Sequence, residues 1–97
     1  MLRYMQENYA QVTQQQLAEE FNMSVSAVSQ VIKRNTKKGY SDHLLSIRMQ
    51  KAQELLRSSN DSIESIAEKV GYGDYFYFMK VFKKATGISP SAFRRNL

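Results

Sequence analysis

The sequence predicts an all-α fold, two helix-turn-helix units joined by a long connector helix, and three observations lead there. The chain repeats itself: Leu17-Ala18-Glu19-Glu20-Phe21 is followed by a short break and an apolar-then-basic segment, Ser26 to Thr36, and Ile66-Ala67-Glu68-Lys69-Val70 by another, Phe76 to Thr86. Leu17 and Ile66 lie 49 residues apart whereas Thr36 and Thr86 lie 50 apart, so the second copy has one extra residue in its turn. Between the copies, from Ser41 to about Ser58, no Gly or Pro interrupts a roughly helical spacing of apolar residues.

Seven helices follow in order. Leu2, Met5 and Tyr9 recur at helical spacing, giving a first helix that ends near Tyr9 or Ala10. Thr13 with Gln16 forms a capping box for the second helix, whose buried face is Leu17, Ala18 and Phe21. Asn22-Met23 makes the turn; Ser24 caps the third helix, with Val28, Val31, Ile32 and Asn35 on one stripe. Ser41 caps the connector, in which Leu44, Ile47, Ala52, Leu55 and Leu56 keep a helical period; its 17 or so residues make a rod about 25 Å long. Ser58-Ser59-Asn60 ends it, and Asp61 or Ser62 caps the fifth helix, with Glu64 completing a box after Asp61. Ile63, Ile66, Ala67 and Val70 bury that helix and Gly71 closes it. Asp74 caps the sixth, where Phe78, Val81, Phe82 and Ala85 form the inner face, and Gly87 stops it. Ser89-Pro90 opens the seventh, packed by Phe93 and Leu97.

With 97 residues, 42% of them hydrophobic, the chain is expected to form a single domain over residues 1–97. Its first subdomain spans about 1–40, the connector about 41–58 and the second subdomain about 59–97. There is no cysteine, so neither a disulfide framework nor a thiolate zinc site is available. No apolar run approaches the roughly 18 residues that cross a bilayer, and the first residues lack the apolar stretch of a signal peptide. A cytoplasmic location, away from membranes and on the nucleoid when bound to DNA, is the expectation.

The net charge is +5, and its distribution says more than its size. Residues 24–41 and 75–97 hold nine of the fourteen basic residues (Lys33, Arg34, Lys37, Lys38, Lys80, Lys83, Lys84, Arg94 and Arg95) and none of the nine acidic ones. One basic run is ordinarily no more than a solvated face. Two, at the same place in two repeats, point to phosphate neutralisation with counterion release.

No catalytic constellation emerges. His43 is the only histidine and has neither cysteines nor paired carboxylates near it in sequence, so it fits a surface or half-buried packing role, with no metal site. One histidine without cysteine gives no nucleophile, base and acid set, and Gly71-Tyr72-Gly73 follows a helix and forms no phosphate loop. The chain is not expected to be an enzyme or to carry a cofactor.

The second unit, from Gly71-Tyr72-Gly73-Asp74 through Phe78-Met79-Lys80-Val81-Phe82-Lys83-Lys84 to Gly87-Ile88-Ser89-Pro90-Ser91-Ala92-Phe93-Arg94, resembles the signature of the AraC/XylS family of bacterial transcription regulators. The connector, with Arg48, Ala52, Leu55 and Leu56, matches that family's R-x-x-x-A-x-x-L-L pattern, and the similarity runs from about Thr13 to Arg95. The resemblance implies a seven-helix DNA-binding domain with two homeodomain-like subdomains. It also implies that the chain is the C-terminal part of a longer regulator, leaning toward the two-component response-regulator type. The domain alone would be monomeric, and its parent would dimerise through a missing N-terminal domain.

Carried over residue by residue, the resemblance places base reading in the third helix at Ser26, Ser29 and Gln30, with Lys33, Arg34 and Lys37 on phosphates. If Val28, Val31 and Ile32 point inward, Ser26, Ser29, Gln30 and Lys33 fall on the outward stripe, which agrees. Gln30 suits bidentate contact with adenine, and serines donate or accept at any base edge. In the sixth helix the matching positions are Tyr75, Phe76, Met79 and Lys80, with Lys83 and Lys84 toward the backbone. Phe76 and Met79 depart from the family pattern of small or polar residues; they would read thymine methyls or groove shape and discriminate bases weakly. Alternatively Tyr75 and Phe76 fold back onto the domain. Tyr77, Phe78 and Phe82 are expected in the core.

The function expected is sequence-specific binding of double-stranded DNA for transcriptional regulation, activation rather than repression, with two recognition helices in adjacent major grooves. RNA polymerase is the further partner implied. The alternative is a helical interaction module that contacts RNA polymerase or another regulator through its acidic and aromatic surface.

Overall fold

The computed structural model describes residues 1–97 and contains seven helices and no strand. They are α1 (Leu2–Glu7), α2 (Gln14–Glu20), α3 (Val25–Thr36), α4 (Tyr40–Ser58), α5 (Ile63–Lys69), α6 (Tyr75–Thr86) and α7 (Pro90–Arg95). The chain forms two compact units, Met1–Ile47 and Arg48–Leu97, with the boundary inside α4.

The first unit packs Met5, Val12, Leu17, Ala18, Val28, Ile32, Leu44 and Ile47 into one core, flanked by Tyr4, Tyr9, Met23 and Tyr40. α4 is therefore more than a spacer, because its first half supplies Leu44 and Ile47 to this core. The helix starts one residue before the expected cap: Gly39 C=O accepts from the His43 N–H at 3.0 Å, and Ser41 lies inside the first turn. The Tyr40 hydroxyl donates to the Val12 carbonyl at 3.0 Å, which anchors that start to the α1–α2 loop. α1 is shorter than its spacing suggests, because the Asn8 side chain and N–H both bond the Tyr4 carbonyl and end the helix at Glu7. Phe21 is 37% exposed instead of buried, its ring edge-on to Tyr4 at 5.8 Å.

The second unit buries Met49, Ala52, Leu56, Ile66, Ala67, Val70, Phe78, Phe82 and Pro90. Phe82 is its aromatic hub: Phe78 lies 5.9 Å away and Phe93 meets it edge-on at 5.7 Å. The Arg57 guanidinium sits 5.4 Å from the Phe93 ring centroid. Ser62, not Asp61, caps α5, accepting from the Ser65 N–H, while Asp61 pairs with Lys69 at 2.5 Å. The Lys69 ammonium holds the Asp61 carboxyl below its ordinary range.

Besides Phe21 and Tyr77, three predicted core positions are exposed. Asn35 and Ala85 share the azimuth of Val28 and Phe78 but lie in the last turns of α3 and α6, past the packed core, and Asn35 donates instead to the Val31 carbonyl at 2.7 Å. Leu97 is 66% exposed because it lies beyond Asn96, the residue that closes α7.

His43 on α4 has a buried Nε2 with no hydrogen-bond partner, and burial, with the Lys38 ammonium nearby, pushes its imidazole below its ordinary value. A depressed histidine favours the neutral form in the fold, so its contribution to stability is present above its ordinary value and is lost as pH falls through it. Thermal unfolding followed from about pH 8 to about pH 5.5 should show the native chain losing more stability than His43→Gln.

Candidate nucleic-acid interface

The two helix-turn-helix units are built by the same local chemistry. α2 ends on Phe21 with Asn22 left-handed (φ 56°); the N–H groups of Asn22 and Met23 return to the Glu19 and Ala18 carbonyls. α5 ends on Val70 with Gly71 left-handed (φ 104°), and the N–H groups of Gly71 and Tyr72 return to Glu68 and Ala67. Both turns are Schellman motifs, which need a residue that tolerates positive φ, Gly in one copy and Asn in the other. The extra residue in the second copy, Gly73, falls after this motif and before the next cap.

α3 and α6 then begin on caps fifty residues apart in sequence. Ser24 accepts from the Ala27 N–H, and Asp74 Oδ1 accepts from the N–H groups of Phe76 at 2.9 Å and Tyr77 at 3.2 Å. Both helices run twelve residues and end on a left-handed residue, Lys37 or Gly87. Thr36 and Thr86 repeat each other as well: each hydroxyl donates to a carbonyl four residues back, Ile32 or Phe82, at 2.8 Å. Equivalent positions are Ser26 and Phe76, Ser29 and Met79, Gln30 and Lys80, Lys33 and Lys83, and Arg34 and Lys84.

Burial follows the same register. Val28, Ile32, Phe78 and Phe82 are buried; Ser26, Gln30, Lys33, Arg34 and Lys37 of the first copy are exposed, as are Phe76, Lys80, Lys83 and Lys84 of the second. Ser29, Tyr75 and Met79 are half-buried. The two ion pairs join Lys51 to Glu54 and Lys69 to Asp61, and neither takes a cation from α3 or α6. The basic side chains of these helices thus project into solvent beside the polar or apolar residues of the helix's first half.

Several side chains behave in ways the sequence did not disclose. Ser29 accepts a hydrogen bond from Gln14 Nε2, which also donates to the Val25 carbonyl at 3.4 Å, so an α2 residue orients a predicted reading residue. Fifteen positions separate that pair, beyond any local pattern. Arg94, counted above with the basic clusters, turns inward and donates to the carbonyls of Leu56 (3.3 Å), Asp61 (2.6 Å) and Ser59 (3.2 Å). Lys38 is tied to Ser46 Oγ at 2.9 Å. Tyr77, expected in the core, is 55% exposed and leans on Tyr72 at 5.9 Å, since it sits about 100° around the helix from Phe78. Tyr72 in turn lies under the Arg48 guanidinium at 5.3 Å, and burial raises its hydroxyl pKa.

Two such units, each with its second helix turned outward and basic toward its end, define a tandem helix-turn-helix protein. Comparison with known proteins agrees. A helix-turn-helix domain family matches residues 17–96. The raffinose operon transcriptional regulatory protein RafR of Pediococcus pentosaceus is 37% identical over 95 residues, 97% of this chain and 34% of that protein. The C-terminal domain of AraT, a response regulator from Geobacillus stearothermophilus, superposes with a TM-score of 0.93 at 40% identity, covering 98% of this chain and 80% of that one. The DNA-binding domain of AdpA, solved with a target DNA, shares the fold at a TM-score of 0.91 and 24% identity, over 98% and 86% of the two chains. This chain belongs to the AraC-type helix-turn-helix family of transcription regulators, which are not enzymes. It spans about a third of the length of the curated relatives it matches (34%, 29% and 31%).

Proposed function

We propose that this chain binds double-stranded DNA sequence-specifically, with α3 and α6 each entering the major groove and the two together reading successive turns of one site. The observation that carries this reading is the coincidence of register: two helices fifty residues apart expose the same positions and place free cations at the same later positions. Recognition helices contact base edges with their N-terminal halves and phosphates beyond. In the first unit Ser26, Ser29 and Gln30 read bases, while Lys33, Arg34 and Lys37 hold phosphates. In the second, Tyr75, Phe76, Met79 and Lys80 face the bases, and Lys83 and Lys84 hold the backbone. α4 runs from Tyr40 to Ser58 without Gly or Pro. The site belongs to a longer regulator that activates transcription. Glu19 and Glu20 on α2 and Glu64 and Glu68 on α5 are exposed and offer the acidic surface for a contact with RNA polymerase.

Titration of selected and random duplexes over a range of salt tests the reading. Five to seven phosphate contacts give a log-log slope of about −4.5 to −6, and a flat response would refute duplex binding. Gln30→Ala should cost about 1–3 kcal/mol on the selected site alone, whereas Lys83→Ala should weaken all sequences alike and shallow the slope by about 1. Equal losses on selected and random DNA from both substitutions would show that α3 does not read bases through Gln30.

A further inference from the structure

The two recognition helices differ in one respect that their common register makes plain. In the first copy the groove-facing positions are polar: Ser26 is exposed, and Ser29 is hydrogen-bonded by Gln14 next to an exposed Gln30. At the same places the second copy has Phe76 for Ser26, Met79 for Ser29 and Ile63 for Gln14. Phe76 is 75% exposed, more than any other large apolar residue of the chain, and it sits in the first turn of α6. Its backbone N–H is capped by Asp74 Oδ1 at 2.9 Å, and the Tyr75 ring meets its ring at 5.4 Å with an interplanar angle of 75°. Lys80, Lys83 and Lys84 follow within the next two and a half turns, all exposed. An exposed aromatic ring followed along its helix by cations fits a polyanion that presents an apolar group between its phosphates. In the major groove only one apolar group is on offer, the methyl on C5 of a pyrimidine.

We propose that Phe76, with Met79 beside it, recognises that C5 methyl, so that the half-site under α6 contains thymine or its methyl-bearing equivalent, 5-methylcytosine, opposite the ring. This rests on the DNA-binding reading above and names the chemistry of one of its two half-sites. The two units read by unlike means: hydrogen bonds under α3, methyl contact under α6.

The test begins with the duplex selected from a random pool by the 97-residue chain. At each thymine whose preference disappears in Phe76→Ser, four duplexes are compared, carrying thymine, uracil, cytosine or 5-methylcytosine with the matching partner base. Removing the methyl should weaken binding about four-fold in each pair, thymine over uracil and 5-methylcytosine over cytosine. Phe76→Ser should level both pairs, and Phe76→Leu should keep part of the preference. Phe76 is exposed enough that neither variant threatens the fold, which circular dichroism verifies. Thymine equal to uracil with both above the cytosines would mean hydrogen-bond reading at O4, and would overturn the proposal while leaving DNA binding intact. Dimerisation that Phe76→Ser abolishes would overturn it too, by showing that the ring meets a second copy. Absence of salt-dependent binding to any duplex would remove the DNA reading and this inference together.

Discussion

Phe82→Ala is expected to lower stability by about 3–5 kcal/mol, the largest effect of any single truncation in the second unit. The ring is fully buried, and it is the one aromatic that touches both Phe78 of its own helix and Phe93 of α7. Removing it leaves a cavity lined by two other rings, and rings anchored on helices close poorly around a void. For a chain of this length total stability is about 5–15 kcal/mol, so the loss takes a large share of it. Ile32→Ala, the same register position in the first unit, removes fewer atoms and should cost about 2–5 kcal/mol. Ala85→Ser, on the exposed last turn of α6, should change stability by less than about 0.5 kcal/mol. Chemical denaturation of the three variants gives the ordering. A loss below about 1.5 kcal/mol at Phe82 would mean that α7 collapses into the space and that the aromatic packing is not the unit's keystone.

What the sequence disclosed and what it hid divide by distance along the chain. Caps were legible because their chemistry spans three residues: Thr13 with Gln16, Ser24, Asp74 and Ser89 all accept the N–H bonds expected of them. The choice between Asp61 and Ser62 was not, because an aspartate can equally serve a lysine eight residues on, and Lys69 takes it. Buried stripes were legible where both neighbours of a helix cover it, at Val28 with Ile32 and Phe78 with Phe82. They failed in the last turns, at Asn35 and Ala85, because periodicity records azimuth and says nothing of how far the core extends along the axis. Of the reading positions, exposure at Ser26 and Gln30 followed from the apolar stripe opposite them, while the sequence left open whether Phe76 folds back, and it is exposed. The bond from Gln14 to Ser29 did not follow from any stripe, since it depends on how α2 crosses α3. The charge distribution also counted Arg94 with the basic clusters, whereas its guanidinium turns inward onto backbone carbonyls.

Arg94→Ala is accordingly expected to act on stability and leave the electrostatics of DNA binding unchanged. α4 ends at Ser58, and its last carbonyls have no partner within the helix. Leu55 C=O accepts from Ser59, both N–H and hydroxyl, and Glu54 C=O accepts from the Ser58 hydroxyl, but Leu56 C=O is left to Arg94 Nε. The same guanidinium reaches Ser59 and Asp61, so one planar cation closes the helix end and fixes the α4–α5 loop from 33 to 38 residues away. A cation at a helix C-terminus also opposes the partial negative charge there. Bonds from a charged donor are worth about 1.5–3 kcal/mol each singly and less than their sum together, so about 2–4 kcal/mol should be lost. Arg94→Lys keeps the charge but replaces the three-way fork with a point donor, and should recover less than half of that. The competing account, in which Arg94 neutralises a phosphate, predicts the reverse pattern: unchanged stability and a salt slope shallower by about 0.9 in Arg94→Ala. Measuring both quantities on the two variants decides between them, because a slope that falls in Arg94→Ala and returns in Arg94→Lys would place the guanidinium on DNA instead of on α4.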